Sequence, residues 1–279
     1  MSPAVLRLPG TTIAGVPIPP ADNRLTSGSL LLVDPTHPTD PYSGPVTHGE
    51  QIPNIAKTQA TALGIAADTV EIFNTATSTA RAKIERTASG SLHFTSSATQ
   101  SVLEERVGLA IPAGLRTYLA ANKTHRFFLG LQIKVTRPDD GGATVGYMAG
   151  VFSGTNWGVG AQIALGTLAN GTLAGYPASS DATRLGFTAT SGTNANQLGA
   201  ISSNGLNNNL VETSSYVVSS GPYNAASVNN SPSFILRSIY LEDLTVSGRS
   251  HAAVAELEQA AFQAGASGRW SADTATALA

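Results

Sequence analysis

Cysteine is absent from the 279-residue chain, which excludes disulfide bonds, thiolate zinc sites and cysteine nucleophiles. Charged residues are also scarce, at 12 % against about 25 % in an ordinary soluble domain. The 16 basic and 18 acidic residues nearly cancel. The chain therefore lacks the basic excess that a nucleic-acid-binding protein uses to neutralise phosphates, and we predict that it binds no nucleic acid.

Long apolar runs are missing too. No stretch of about 18 apolar residues exists, and residues 1–10 lack the basic and apolar regions of a signal peptide, so no membrane insertion is expected. Hydrophobic residues nevertheless make up 42 % of the chain, which is enough for a folded core. A surface so poor in charge favours contact with other protein.

Proline is concentrated near the N-terminus, with nine of the 15 prolines in the first 50 residues. Because proline fixes φ and has no N–H to donate, extended or polyproline conformation is expected there. The same stretch contains four consecutive large aliphatic residues, namely Leu30, Leu31, Leu32 and Val33. We predict that residues 1–50 form an extended arm whose aliphatic segment is buried on a partner subunit. An arm folded back on its own domain is equally compatible with the sequence.

Two short helices are indicated by prolines at their starts. Pro53 suits the first turn of a helix that ends at Gly64, and this helix defines a connector over residues 51–69. Pro112 opens a second helix that runs to Asn122. The second helix carries an apolar stripe formed by Leu115, Tyr118 and Leu119.

Apolar residues alternate with other residues over 127–136, and this period of two predicts a strand with one buried face. Turn-forming residues and another β-type run at 144–152 follow, so we expect the two runs to pair as an antiparallel hairpin. Further short runs separated by Gly and Asn lie at 160–165, 184–188, 216–218 and 234–246. Many short strands between turns indicate a mainly β fold, an antiparallel β-sandwich or jelly roll with a few short helices.

A closing helix is predicted at the other end of the chain. Ser250 is a suitable N-cap, and Gly265 marks the expected end. Helical spacing relates the apolar residues Val254, Leu257 and Ala261. Residues 263–279 are interpreted as a C-terminal tail.

Motifs of common catalytic sites are missing from the sequence. It contains no Gly-x-Ser-x-Gly elbow, P-loop, dinucleotide fingerprint or His-Glu-x-x-His pair. We therefore predict neither enzyme activity nor a cofactor.

Two groups of acidic residues allow a metal site as an alternative to a turn. Asp34, His37 and Asp40 lie within seven residues of each other, and Asp139 and Asp140 offer oxygen ligands suited to calcium. Turn hydrogen bonds among neighbouring prolines and glycines explain both groups without an ion, so no metal site is predicted.

Residues 241–256 read LEDLTVSGRSHAAVAE. This segment resembles the closing motif of concanavalin A-like, laminin-G-like jelly rolls, with Glu242 and Asp243 as the acidic pair, Arg249 as the arginine, and Ser250 replacing the usual Leu-Ser before the helix. The resemblance implies a jelly roll over residues 70–262. Adjacent strand residues face opposite ways, so the acidic pair cannot supply the facing carboxylates of a glycosidase. We expect one of the two to pair with Arg249 or to cap the turn.

The Pro-rich opening, the segment GSLLLVDP at 28–35 and the small polar composition are similar to those of structural proteins of tailed-phage virions. This resemblance implies a virion component of the tail, baseplate or fibre apparatus. Its partners would be copies of itself and other virion proteins, held through the arm and the jelly roll.

Carbohydrate binding is the alternative function, with a bacterial surface glycan of the host as partner. It requires exposed aromatic rings beside amides and hydroxyls. Trp157 is the first candidate for glycan contact, and Tyr176 and Tyr223 follow because they lie in loop-like sequence. Trp157 in the core or in a subunit interface is the competing interpretation. A glycosidase of the same jelly-roll class is the third hypothesis.

Overall fold

The computed structural model describes residues 22–138, 146–152, 161–167, 169–177, 183–188, 195–203, 205–206, 216–222, 225–271, 273–274 and 277–279. This part of the chain is mainly β, with fourteen strands and four helices. The strands are β1 (Ser29–Val33), β2 (Gln51–Pro53), β3 (Thr69–Asn74), β4 (Ala82–Arg86), β5 (Leu92–Ser96), β6 (Val107–Ala110), β7 (Phe127–Arg137), β8 (Gly146–Phe152), β9 (Ala161–Thr167), β10 (Leu173–Pro177), β11 (Thr183–Thr188), β12 (Asn196–Ser203), β13 (Tyr216–Ser220) and β14 (Ser233–Asp243). The helices are α1 (Lys57–Ala62), α2 (Ala113–Ala121), α3 (Leu244–Ser247) and α4 (His251–Ala266).

The strands form two antiparallel sheets of seven strands each. In the first sheet the order is β11-β12-β7-β14-β5-β4, and β1 also pairs with β14. In the second sheet the order is β10-β9-β8-β13-β6-β3-β2. One hydrophobic cluster contains buried side chains of both sheets, among them Leu129 and Leu236 from the first and Leu109 and Val218 from the second. The two sheets therefore share a core.

β14 is the central strand of the first sheet. β7 pairs along its whole length on one side. On the other side, β5 pairs with its beginning at Phe234–Leu236, and β1 pairs with its end at Ile239–Glu242. The register against β7 shifts between Leu236 and Ser238, so Arg237 lies in a β-bulge. All eleven residues of β14 are buried.

The prediction that Leu30–Val33 lies on a partner subunit is wrong. These residues belong to β1, where Leu31 is opposite Leu241 and Val33 is opposite Ile239. All four side chains are completely buried within this single chain. The prolines flank this segment and do not interrupt it, so its backbone N–H groups remain free to pair. The arm folded back on its own domain is the alternative observed for this segment, and residues 1–21 lie outside the described part.

The predicted hairpin of residues 127–136 with residues 144–152 is also wrong. β7 pairs with β12 and β14 in the first sheet, whereas β8 pairs with β9 and β13 in the second. The connection between β7 and β8 thus passes from one sheet to the other. Alternation of apolar and polar residues identifies a strand but carries no information about its partner. A turn-like sequence can connect two strands of the same sheet or two strands of different sheets.

β7 begins as predicted at Phe127, but it is buried on both faces. The second face is covered because α4 packs against it. Phe128 contacts the cluster that includes Val254 of α4, and the Gln132 side chain donates to Glu258 Oε2 over 2.7 Å. The sequence pattern could not predict that α4 covers this face of β7, because Gly130 and Gln132 are not hydrophobic.

The connector 51–69 contains a strand as well as a helix. Pro53 ends β2 instead of opening the helix, and α1 begins only at Lys57. Between them, buried Asn54 binds the free edge of β1. Its Oδ1 accepts from Leu32 N over 2.9 Å and its Nδ2 donates to Leu30 O over 3.0 Å. The second predicted helix is confirmed as α2, with Pro112 at its N-cap position.

The closing helix is confirmed as α4, and Ser250 caps it by accepting from Ala253 N. The predicted tail is instead anchored to the body. Trp270 and Asp273 are only 1 % and 2 % exposed. In the described residues, no helix has the length and apolar character needed to cross a bilayer.

Candidate functional site

A cleft of about 690 Å³ lies between the N-terminal segment and α4. Its helical wall is built from the small residues Ala260, Ala261, Ala264 and Gly265. Small side chains leave this part of the helix surface open. Gly265 is required there, because a Cβ atom would lie 2.4 Å from the Trp270 ring. The opposite wall comprises Asp22, Asn23, Arg24 and residues 37–39.

Arg24, only 3 % exposed, is the centre of an ion-pair network beneath the cleft. Its Nε donates to both carboxylate oxygens of Asp22 over 3.0 Å. Glu258 Oε1 lies 3.5 Å from its Nη1, and Asp34 Oδ2 lies 3.8 Å from its Nη2. One buried cation thus contacts three carboxylates, of which Asp22 and Asp34 flank β1 and Glu258 comes from the distant helix α4. Because a buried charge is stable only when paired, the network fixes these parts relative to each other.

The backbone of Arg24 is held as firmly as its side chain. Arg249 Nη2 donates to Arg24 O over 2.6 Å, and the Tyr240 hydroxyl lies 2.9 Å from the same oxygen. Arg249 Nε also donates to Glu242 Oε1 over 2.9 Å. The end of β14 and the turn before α4 therefore both bind the segment that enters β1.

A second arginine connects the cleft to the residues after α4. Arg269 Nη2 donates to Asp34 Oδ2 over 2.7 Å, and Trp270 Nε1 donates to the Thr36 hydroxyl over 3.0 Å. The guanidinium of Arg269 also lies 5.0 Å from the Trp270 ring centroid, a cation–π distance. Asp34 Oδ1 also accepts from Thr36 N over 3.0 Å. This is the turn hydrogen bond that the sequence offered as the alternative to a metal site.

Asp34 and His37 were two of the three possible metal ligands. Asp34 pairs with Arg269, and His37 contacts Asp22 and Thr39. In the described part of the chain, no three acidic or histidine side chains are grouped to hold a metal ion. The possible calcium ligands Asp139 and Asp140 lie outside the described residues.

Burial and pairing shift the pKa values of the network in opposite directions. Burial alone raises the pKa of Asp22, but hydrogen bonds from His37 and Arg24, with the charge of Arg24, outweigh it and lower the pKa below its usual range. Burial dominates at fully buried Glu258 and raises the pKa of its carboxyl, although Arg24 and Gln132 oppose the shift. Asp22 therefore carries the negative charge that balances Arg24.

Thr39, His37 and Asp22 form a chain of hydroxyl, imidazole and carboxylate in the cleft. His37 Nε2 lies 3.1 Å from Asp22 Oδ2, and His37 Nδ1 lies 3.0 Å from the Thr39 hydroxyl. An ionised carboxylate only accepts, so the proton lies on Nε2 and Thr39 donates to Nδ1. The groups are those of a catalytic triad. However, the Asp22 carboxylate also accepts from Nε and Nη2 of Arg24, so it belongs to the ion-pair network. The arrangement orders the turn.

The acidic pair of the closing motif behaves as predicted. Glu242 binds Arg249, and Asp243 caps α3 by accepting from Thr245 N over 2.9 Å. Asp243 Oδ2 also accepts from Tyr118 over 2.8 Å and from His125 Nδ1 over 2.6 Å. Burial, together with Asp243, raises the pKa of Tyr118 above its usual range. Both acidic side chains are buried and fully engaged in structural contacts.

Of the three residues predicted to contact a glycan, only Tyr176 lies within the described part. Trp157 and Tyr223 lie outside it. Tyr176 was placed in loop-like sequence but belongs to β10, where it is opposite Ala164 of β9. Its side chain is not part of the description, so glycan contact stays a prediction.

Sequence reasoning missed Arg24, Glu258 and Asp273 as functional positions. Each is a single charged residue without a recognisable motif. One signal was available for Glu258: it lies midway between Val254 and Phe262 at helical spacing, on the apolar face of α4. A lone charge on such a face indicates a buried partner elsewhere.

No protein-family model, no curated protein and no solved structure matches this chain significantly.

Proposed function

We propose that this chain is a structural component of a tailed-phage virion, in the tail, baseplate or fibre apparatus. Its two sheets would pack as a concanavalin A-like jelly-roll sandwich, and it would assemble by protein–protein contacts. The hydrophobic cluster common to both sheets and the pairing of Glu242 with Arg249 agree with this fold. The low charge of the chain agrees with extensive contact to other protein.

One observation carries the proposal: the charged groups of the cleft bind one another. Arg24 contacts three carboxylates, and Arg269 binds one of them again. Groups held in this way stabilise a framework, whereas a hydrolase needs a carboxylate that can reach its substrate. The framework fixes the point at Asp22 from which residues 1–21 continue. These residues contain one charged residue, Arg7, and are rich in proline and aliphatic side chains. Since Leu30–Val33 is buried within the chain, the assembly arm is assigned to residues 1–21 alone.

Deletion of residues 1–21 tests this proposal. Light scattering coupled to size exclusion should find the full chain as an oligomer and the shortened chain as a folded monomer. Deletion of residues 1–33 is the control for loss of fold, because it removes β1 from the first sheet. A full chain that is monomeric at every concentration would contradict the assembly role. Antibodies against the chain should also label particles of the phage that encodes it.

Carbohydrate binding remains the alternative. A glycan array with the full chain and with Trp157→Ala distinguishes the two functions. Glycan binding that is lost in the variant, by a chain that does not oligomerise, favours the alternative.

A further inference from the structure

We propose that the cleft beside α4 is the docking site for residues 13–21 of a second copy of this chain. This inference rests on the proposed assembly function and names the surface that carries it. Each copy would then donate one segment and accept one segment. Such exchange of the same element produces either a closed ring or an open fibre.

The shape and chemistry of the cleft suit this occupant. Its volume is about 690 Å³, and Ala260, Ala261 and Ala264 provide a wall of methyl groups. Residues 13–21 read IAGVPIPPA and contain no charged side chain. Because the arginines that line the cleft, Arg24 and Arg269, are already paired with carboxylates, the cleft does not require a charged ligand. An uncharged apolar segment fits these conditions.

The position of this segment in the sequence agrees with the proposal. Asp22 lines the cleft and directly follows Ala21. The nine residues 13–21 lead directly into Asp22 without a linker, and they span about 30 Å when extended. The second copy must therefore place its cleft next to Asp22 of the first copy.

The prolines favour a second copy over the chain's own cleft. Pro17, Pro19 and Pro20 immediately precede Asp22. A segment with this composition is expected to be stiff and extended, which disfavours the tight reversal that a return to the adjoining cleft requires.

The absence of cysteine makes a clean experiment possible, because engineered thiols have no competitors. Full-length Ile18→Cys and Ala264→Cys chains are mixed under mild oxidation and separated by non-reducing electrophoresis. We expect a disulfide-linked dimer of the two chains. Its yield should be at least fivefold above that from Ile18→Cys mixed with Ala252→Cys. Ala252 is the matched control because it is exposed on the same helix outside the cleft. Thermal unfolding checks that each variant is folded.

Three results would overturn the inference. One is equal cross-linking at Ala264 and Ala252. A second is a cross-link within one chain of the Ile18→Cys, Ala264→Cys double variant, because it would put the segment in its own cleft. The third is an oligomer without any cross-link to Ala264, in which case assembly stands but uses another surface. A full chain that is only monomeric would reject the assembly function as well.

Discussion

At the scale of single residues, buried ion pairs fix separate segments of this protein relative to each other. Arg24 and Arg237 have side-chain exposures of 3 % and 0 %, and each pairs with a buried carboxylate. Arg237 binds Asp273 and also lies 5.4 Å from the Trp270 ring centroid. Such pairs contribute little net stability compared with an apolar core, but removal of one partner leaves an uncompensated charge.

Replacement of Arg24 by alanine tests this view. Arg24→Ala leaves three carboxylates without their common cation, and we expect it to lower the free energy of unfolding by about 3–5 kcal/mol. The measurement is urea-induced unfolding. Lys83→Ala is the control, because the Lys83 and Glu85 side chains are 32 % and 35 % exposed and pair at the surface. Its cost should stay below about 1 kcal/mol. Equal losses in the two variants would contradict a special role for Arg24.

His93 makes the stability depend on pH. It is completely buried between Glu85 and Thr136, and burial lowers the pKa of its imidazole despite the opposing effect of Glu85. The unfolded chain therefore takes up a proton near the ordinary pKa of 6.5 that the folded chain does not bind. The free energy of unfolding therefore falls as the pH drops below this value.

This dependence should be smaller in His93→Gln. The slope of unfolding free energy against pH, measured between neutral and mildly acidic pH, is the quantity to compare. Part of the slope should remain in His93→Gln, because burial also lowers the pKa of the His251 imidazole. The double variant should therefore be flatter than either single variant. An unchanged slope in both single variants would show that these histidines do not cause it.

At the scale of elements, β1 is the decisive strand. One edge of β1 pairs with β14, and the Asn54 side chain hydrogen-bonds to backbone groups on the other edge of β1. A strand with proline-rich sequence on both sides would otherwise expose unpaired backbone groups. Leu30, Leu31 and Val33 of β1 belong to the main core, and Leu32 belongs to the cluster next to α4. The strand therefore connects the first sheet with the closing helix.

Leu31→Ala tests the placement of β1. Its side chain is fully buried in the main core, so we expect a loss of about 2–5 kcal/mol in the free energy of unfolding. Leu103→Ala is the matched control, because Leu103 is 45 % exposed. If Leu31 belonged to a mobile arm, the two substitutions would have the same small effect in a monomer.

At the scale of the whole molecule, the two ends of the described chain are parts of one folded unit. The residues that follow β1 and those that follow α4 meet at Asp34 and Arg269. The last residues also bind the first sheet, since Leu278 N donates to Thr95 Oγ1 over 2.9 Å and Arg137 donates to Leu278 O over 2.9 Å. Residues 22–34 and the described residues after α4 are thus parts of the folded body.

Truncation after Ala266 should therefore affect the entire fold. It removes Asp273 and leaves Arg237 buried without its partner, at an expected cost of about 3–5 kcal/mol. Calorimetry should find one cooperative transition for the intact chain and a single transition at lower temperature for the truncated chain. A truncated chain that melts at the original temperature would mean that residues 267–279 are an independent tail.

The sequence determined the features that depend on local chemistry. Period-two alternation identified β7, the N-cap preference of Ser250 located α4, and Pro112 located the start of α2. The adjacent acids in the closing motif correctly indicated a partner for Arg249 and a cap for the following turn. Backbone geometry within a few residues decides each of these features, so the neighbouring residues are sufficient to predict them.

Only the tertiary structure decided which elements meet. β7 and β8 belong to different sheets, and Leu30–Val33 is buried by β14 and not by another subunit. The carboxylates around Arg24 come from residues as far apart as Asp22 and Glu258. Hydrophobic burial depends on area and not on partner identity, so an apolar segment does not specify the surface that covers it. An ion pair likewise forms wherever the folded chain brings opposite charges together, and its two halves leave no periodic signal in the sequence.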